Sequence, residues 1–178
     1  SRYHIELEHS NRVLQTVDQL IGQVKLPLGL DLETARQWLD WAALLHDIGR
    51  DIAHSGYHKH GAYILENADL PGFSQQDQLL LATLVRAHRR KFPIRLFKAL
   101  SSPWDEFGKW LAILLRLAVL IHRSRALITC PTLDLSIQRS QVILSFPKGW
   151  LDQHPLTVAD LEEESNYLAA VGLTLAFK

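Results

Sequence analysis

The chain has 178 residues, of which 47% are hydrophobic and 21% charged, and its 19 Lys+Arg balance its 19 Asp+Glu. That length makes one medium domain, or a domain with a small appendage, with enough apolar residues for a real core. A net charge of +0 with neutral histidines argues against a bulk nucleic-acid binder, though not against a local basic patch.

The single cysteine, Cys130, excludes an intramolecular disulfide and fits a reducing cytoplasm. Ser1-Arg2-Tyr3-His4 lacks the apolar core of a signal peptide. The apolar run Leu111 to Ile121 is broken by Arg116 and is too short to span a bilayer. Ser1 in place of a starting Met suggests a piece of a longer protein.

Residues 6–24 read as a helix, with Leu7, Val13, Leu14, Val17, Leu20 and Ile21 at helical spacing. Pro27 and Gly29 break it. Asp31 caps a second helix over about 32–48, and Gly49 ends it, since glycine tolerates the left-handed conformation there. Gly56 opens a loop before a short helix at 58–67. Asp69-Leu70-Pro71-Gly72 is a turn. Ser74 with Asp77 forms a capping box for a helix at 75–89. Residues 92–100 are ambiguous. Ser102-Pro103 offers an N-cap and a first-turn proline for a long apolar helix to about Arg125. Trp38, Trp41, Trp104 and Trp110 read as core or interface anchors.

After Pro131 the period changes to two. Leu133, Leu135 and Ile137 alternate with polar residues, as do Val142, Leu144 and Phe146, which predicts a hairpin turning near Arg139-Ser140. Residues 157–171 read as a helix, and Leu173, Leu175 and Phe177 as a last strand. The predicted fold is mainly α: a helical domain over 1–130, then a small α+β domain over 131–178 in the order strand–strand–helix–strand.

The string Leu44-Leu45-His46-Asp47-Ile48-Gly49 places a His-Asp pair at the end of a greasy helix. Neighbouring helical residues point about 100° apart, so an ion could be shared only between those directions, near a crossing helix. The first helix offers His9, in His9-Ser10-Asn11-Arg12-Val13. A His/Asp set suits Mn, Fe, Mg or Zn, and such an ion could activate a water for attack on a phosphate ester. The other reading is a hydrogen-bonded pair capping a core helix.

A His-x-x-Arg-Val start followed by His-Asp-Ile-Gly resembles the HD superfamily of metal-dependent phosphohydrolases. Longer strings narrow the resemblance: Gly56-Tyr57-His58-Lys59-His60-Gly61, Asn67-Ala68-Asp69-Leu70-Pro71-Gly72-Phe73, Leu84-Val85-Arg86-Ala87-His88-Arg89-Arg90-Lys91, Leu115-Arg116-Leu117-Ala118-Val119-Leu120, and Phe146-Pro147-Lys148-Gly149-Trp150. In this order they resemble the C-terminal half of the exopolyphosphatase / guanosine pentaphosphate phosphatase family, over nearly the whole chain.

The resemblance implies an HD-like helical domain plus a small terminal domain. It also implies that catalysis belongs to N-terminal actin-like domains, which this chain does not contain. The implied ligands are polyphosphate and guanosine pentaphosphate, and the implied assembly is a homodimer. A metal site of His9, His46 and Asp47 for Mg or Mn is incomplete, because Val119 stands where HD hydrolases supply a last Asp. His122, one turn later, is the nearest substitute. A free-standing HD-type metallophosphohydrolase is the alternative function. No membrane or nucleic-acid partner is expected, and the compartment implied is the cytoplasm.

A second constellation is basic. His88, Arg89, Arg90 and Lys91 follow a helix, with Arg95 and Lys98 nearby, and Arg123 and Arg125 end the long helix. Cations suit a helix C-terminus, so a solvated helix end is the plain reading. The functional reading gives His88, Arg89, Arg90, Lys91, Arg123 and Arg125 to a polyphosphate, since Arg binds phosphate oxygens bidentately and Lys acts as a mobile point charge.

Overall fold

The computed structural model describes residues 5–25, 31–126 and 129–178. The break assigned to Pro27 and Gly29 lies outside them. The order among the described residues is α1 (Leu7–Ile21), α2 (Leu32–Leu45), a 3-10 turn (Ile48–Asp51), α3 (Tyr57–Asn67), α4 (Gln75–Ala87), α5 (Ile94–Lys98), α6 (Trp104–Ile121), β1 (Asp134–Gln138), β2 (Gln141–Ser145), a 3-10 turn (Leu151–Gln153), α7 (Pro155–Ala169) and β3 (Thr174–Phe177). This is the expected mainly α fold followed by a small α+β region.

Helix α1 buries Val13, Val17, Leu20 and Ile21 completely, one apolar stripe at helical period. Asp31 caps α2 by accepting from the Thr34 amide at 2.9 Å. The Ser74–Asp77 capping box of α4 is reciprocal, each bond 3.0 Å long. Trp38 packs edge-to-face with Trp41 and Trp104 at ring separations of 5.1 and 5.9 Å.

Three expected helix ends are corrected. Helix α2 stops at Leu45, and Gly49 lies inside the 3-10 turn rather than at a left-handed cap. Gly49 is needed for close approach: a Cβ there would meet the Tyr57 carbonyl at 2.0 Å and the Gly61 amide at 2.4 Å. At α6, Pro103 occupies the cap position and Ser102 makes no capping bond, one residue too early to reach the first free amides. That helix also ends at Ile121, not Arg125, where the chain bends so that Arg125 takes a φ of 57°.

Helix α6 is buried nearly all round from Leu111 to Ile121, as expected of a central helix. Within it Arg116 is among the largest fully buried side chains. Strands β1 and β2 pair antiparallel from Asp134↔Ser145 to Gln138↔Gln141, and Arg139 turns the hairpin at φ 54°. Strand β3 lies parallel to β2, giving the order β1-β2-β3. A parallel neighbour needs a crossover, which α7 supplies. Helix α1 touches the sheet region through two glutamines: Gln19 accepts from the Leu133 amide at 2.5 Å and Gln23 from the Leu135 amide at 2.8 Å. Buried residues of both regions form one cluster. Among the described residues, no helix is long and apolar enough to cross a membrane.

Candidate functional site

His9 comes from α1, and His46 and Asp47 from the turn that follows α2. The Nε2 atom of His9 is 3.8 Å from Asp47 Oδ2, and that of His46 is 3.4 Å from Asp47 Oδ1. One donor atom from each of the three residues lies within 4.8 Å of the others. All three are buried, His46 completely. His88, at the end of α4, continues the row with its ring 5.2 Å from that of His46, and His58 of α3 follows at 6.3 Å.

The tautomers follow from hydrogen bonding. His46 Nδ1 lies 2.5 Å from the Ala43 carbonyl, and His88 Nδ1 bonds the Val85 carbonyl. A carbonyl only accepts, so each Nδ1 carries the proton and each Nε2 presents a lone pair. Neither Nε2 has a hydrogen-bond partner among the described residues, nor does Asp47 Oδ1. His46 Nε2 and Asp47 Oδ1 are thus two facing acceptors with no proton between them, an arrangement that attracts a cation.

Burial sets the protonation. It lowers His46 and takes His88 well below its ordinary value. Burial, aided by Arg125, lowers His9 to about 4; burial, aided by Arg89, does the same for His58. These imidazoles are neutral at pH 7. For Asp47, burial opposes ionisation, but the hydrogen bond and positive charge of Arg125 help hold the carboxyl below its usual range.

That positive field has a fixed source. Arg125 Nη2 donates to Asp47 Oδ2 at 2.6 Å, and Nη1 bonds Glu6 Oε2. Arg125 thus joins the histidine–aspartate cluster. The cluster's donor types fit a divalent ion, yet one carboxylate oxygen already holds a guanidinium. Val119 is buried in α6 and offers no ligand atom. His122 turns to Thr16, its Nε2 2.7 Å from Thr16 Oγ1.

The second feature is a cleft of about 990 Å³ lined by residues of α3, α4, α5 and α7. Its charged lining among the described residues is Lys59, Arg86, Arg89, Arg90, Lys91 and Arg95, with no carboxylate among them. Asn166, Tyr167, Ala170 and Val171 form the α7 wall, and His58 reaches the cleft from the buried row. Arg89 stacks over Tyr57, 4.3 Å from its ring centre. Arg90 bends the chain at φ 65°.

The cleft therefore collects Arg89, Arg90, Lys91 and Arg95 from the basic string. His88 is buried behind it. Arg123 pairs with Asp160 at 3.0 Å and borders a smaller pocket that also touches Arg89 and Arg90. Lys98 is exposed and is not part of the cleft lining. Sequence reasoning missed Lys59 and Arg86, which carry no local signal, and Glu164. It noted Arg116 as an interruption and as part of a family string but gave it no partner, although a charge inside an apolar run is the usual mark of a buried ion pair.

Comparison with known proteins adds a family. Residues 1–165 match the family model described as Ppx/GppA phosphatase, domain III. The chain is 30% identical over 174 residues to a guanosine-5'-triphosphate,3'-diphosphate pyrophosphatase of Pseudoalteromonas translucida, covering 98% of this chain and 35% of the relative. It is 32% identical over 164 residues to the protein of that name in Aeromonas hydrophila, covering 92% of this chain and 33% of the relative. The chain thus spans about a third of the length of these curated relatives.

Proposed function

The chain belongs to the Ppx/GppA phosphatase family, where it matches domain III. From this premise we propose that it is the accessory C-terminal region of an exopolyphosphatase-type phosphohydrolase, holding polyphosphate or guanosine pentaphosphate in its basic cleft. One observation carries the reading: Lys59, Arg86, Arg89, Arg90, Lys91 and Arg95 line one cleft with no acid among them. A linear phosphate chain needs a row of such charges, with Arg for paired bonds to its oxygens.

The relatives' names give guanosine-5'-triphosphate,3'-diphosphate as their substrate, and that nucleotide presents the same phosphate rows. In this reading, bond cleavage belongs to N-terminal actin-like domains of the parent protein. Self-association as a homodimer and a cytoplasmic setting belong to the same reading and rest on the family resemblance and the lone cysteine.

The test is titration of the 178-residue chain with inorganic polyphosphate and with guanosine pentaphosphate. Saturable, salt-sensitive binding is expected. Arg89→Ala with Arg90→Ala should weaken it by roughly tenfold or more. Unchanged affinity in the double variant would sink the cleft as the binding site.

A second reading is a free-standing HD-type hydrolase. It is supported by the spacing of His9, His46 and Asp47, which would hold the divalent ion, Mg or Mn. Such an ion would supply Lewis-acid activation of water. Val119 and the Arg125–Asp47 bond count against it. Failure to turn over phosphate esters with added Mn would end that reading.

A further inference from the structure

We propose that the Arg125 guanidinium is the resident cation of the His9–His46–Asp47 cluster, and that displacing it uncovers a latent site for a borderline transition-metal ion. This inference uses residues outside the basic cleft, so it stands or falls independently of polyanion binding.

The backbone is arranged to deliver Arg125 to this place. Its φ of 57° is left-handed, which a non-glycine side chain adopts only when its surroundings enforce it. Three contacts do so. The Arg125 amide donates to the His122 carbonyl at 3.0 Å. Arg12 donates to the Arg125 carbonyl at 3.4 Å. The guanidinium then spans Glu6 and Asp47.

The remaining donors describe what the guanidinium competes with. His46 Nε2 and Asp47 Oδ1 are buried acceptors without partners among the described residues, 3.4 Å apart. His9 Nε2 lies on the other side, 3.8 Å from Asp47 Oδ2. Two imidazoles and a carboxylate suit Zn, Ni or Co. An ion bridging these atoms would need the Asp47 charge, and Arg125 already neutralises it. Two cations near one buried carboxylate repel, so arginine and metal are alternatives.

The experiment titrates Zn²⁺ and Ni²⁺ into the 178-residue chain by calorimetry, as parent, Arg125→Met, and Arg125→Met with His46→Gln. Met keeps much of the side chain's apolar volume without its charge. The parent should bind no stoichiometric ion. Arg125→Met should bind one equivalent, at least about tenfold tighter than the parent, the range expected for removing a charged hydrogen bond. His46→Gln should abolish that gain.

One equivalent bound by the parent through His46 overturns the proposal, as does a folded Arg125→Met that binds no more than the parent. Should the variant not fold, nitrogen-15 NMR of the parent decides. A slowly rotating, exchange-protected Arg125 guanidinium supports the resident cation, and a freely rotating, solvent-exchanging one refutes it.

Discussion

Arg116 and Glu164 are paired inside the protein, with Arg116 Nε 2.9 Å from both carboxylate oxygens. The same guanidinium donates to the Ala87 and Arg90 carbonyls, each at 2.6 Å. One buried side chain of α6 therefore fastens α7 to the end of α4, where the basic string begins. It positions Arg89 and Arg90 without itself lining the large cleft.

Removing one partner leaves a buried charge. Arg116→Met should destabilise the chain by about 3–5 kcal/mol, measured by urea unfolding. Adding Glu164→Leu should recover part of the loss, though not the bonds to the two carbonyls. A single variant within about 0.5 kcal/mol of the parent would show that the pair does not anchor the fold.

The cleft should respond to cations that only the tertiary structure assigns to it. Lys59→Ala and Arg86→Ala should each weaken polyphosphate binding about threefold, on the order of 0.5–1 kcal/mol. Lys98→Ala, which lies outside the lining, should change nothing. Fluorescence anisotropy with labelled polyphosphate reads the difference. Equal losses at all three positions would point to diffuse attraction and not to a cleft.

Acid should destabilise the chain through its buried histidines. Burial first, and then nearby Arg charges, lower His58 and His122 to about 4 in the folded state, against the ordinary 6.5. The unfolded chain takes up these protons first. Their contribution is complete above pH 6.5, is lost as pH falls toward 4, and saturates below it. Each adds a slope of up to about 1.4 kcal/mol per pH unit in that window. Urea midpoints from pH 7 to 4 test this, and His122→Gln should flatten the slope.

Gly49→Ala should cost about 3 kcal/mol or more, since the new Cβ would sit 2.0 Å from a carbonyl oxygen. Gly72→Ala meets nothing within 4 Å and is strained only by its φ of +87°, so it should cost about 1 kcal/mol. Thermal unfolding ranks the two. The reverse order would mean that the turn after α2 yields easily.

Much of the fold was legible because its signals are local. The Ser74–Asp77 box, the Asp31 cap and the Arg139-Ser140 hairpin each involve residues within a few positions of one another, so spacing alone locates them. The end of α2 was not legible, because Gly49 reads as a helix stop until α3 is packed against it. The pairing of His9 with His46 and Asp47 was legible only as compatible chemistry on two helices.

The sequence by itself determined the family, the mainly α order of elements, the hairpin, and the basic and His-Asp strings, since all of these are written in contiguous residues. Tertiary structure alone decided where the charges end up. Arg125 lies 78 residues from Asp47 and Arg116 lies 48 from Glu164. Each reaches its partner because the packed helices leave a long cation one buried carboxylate to neutralise.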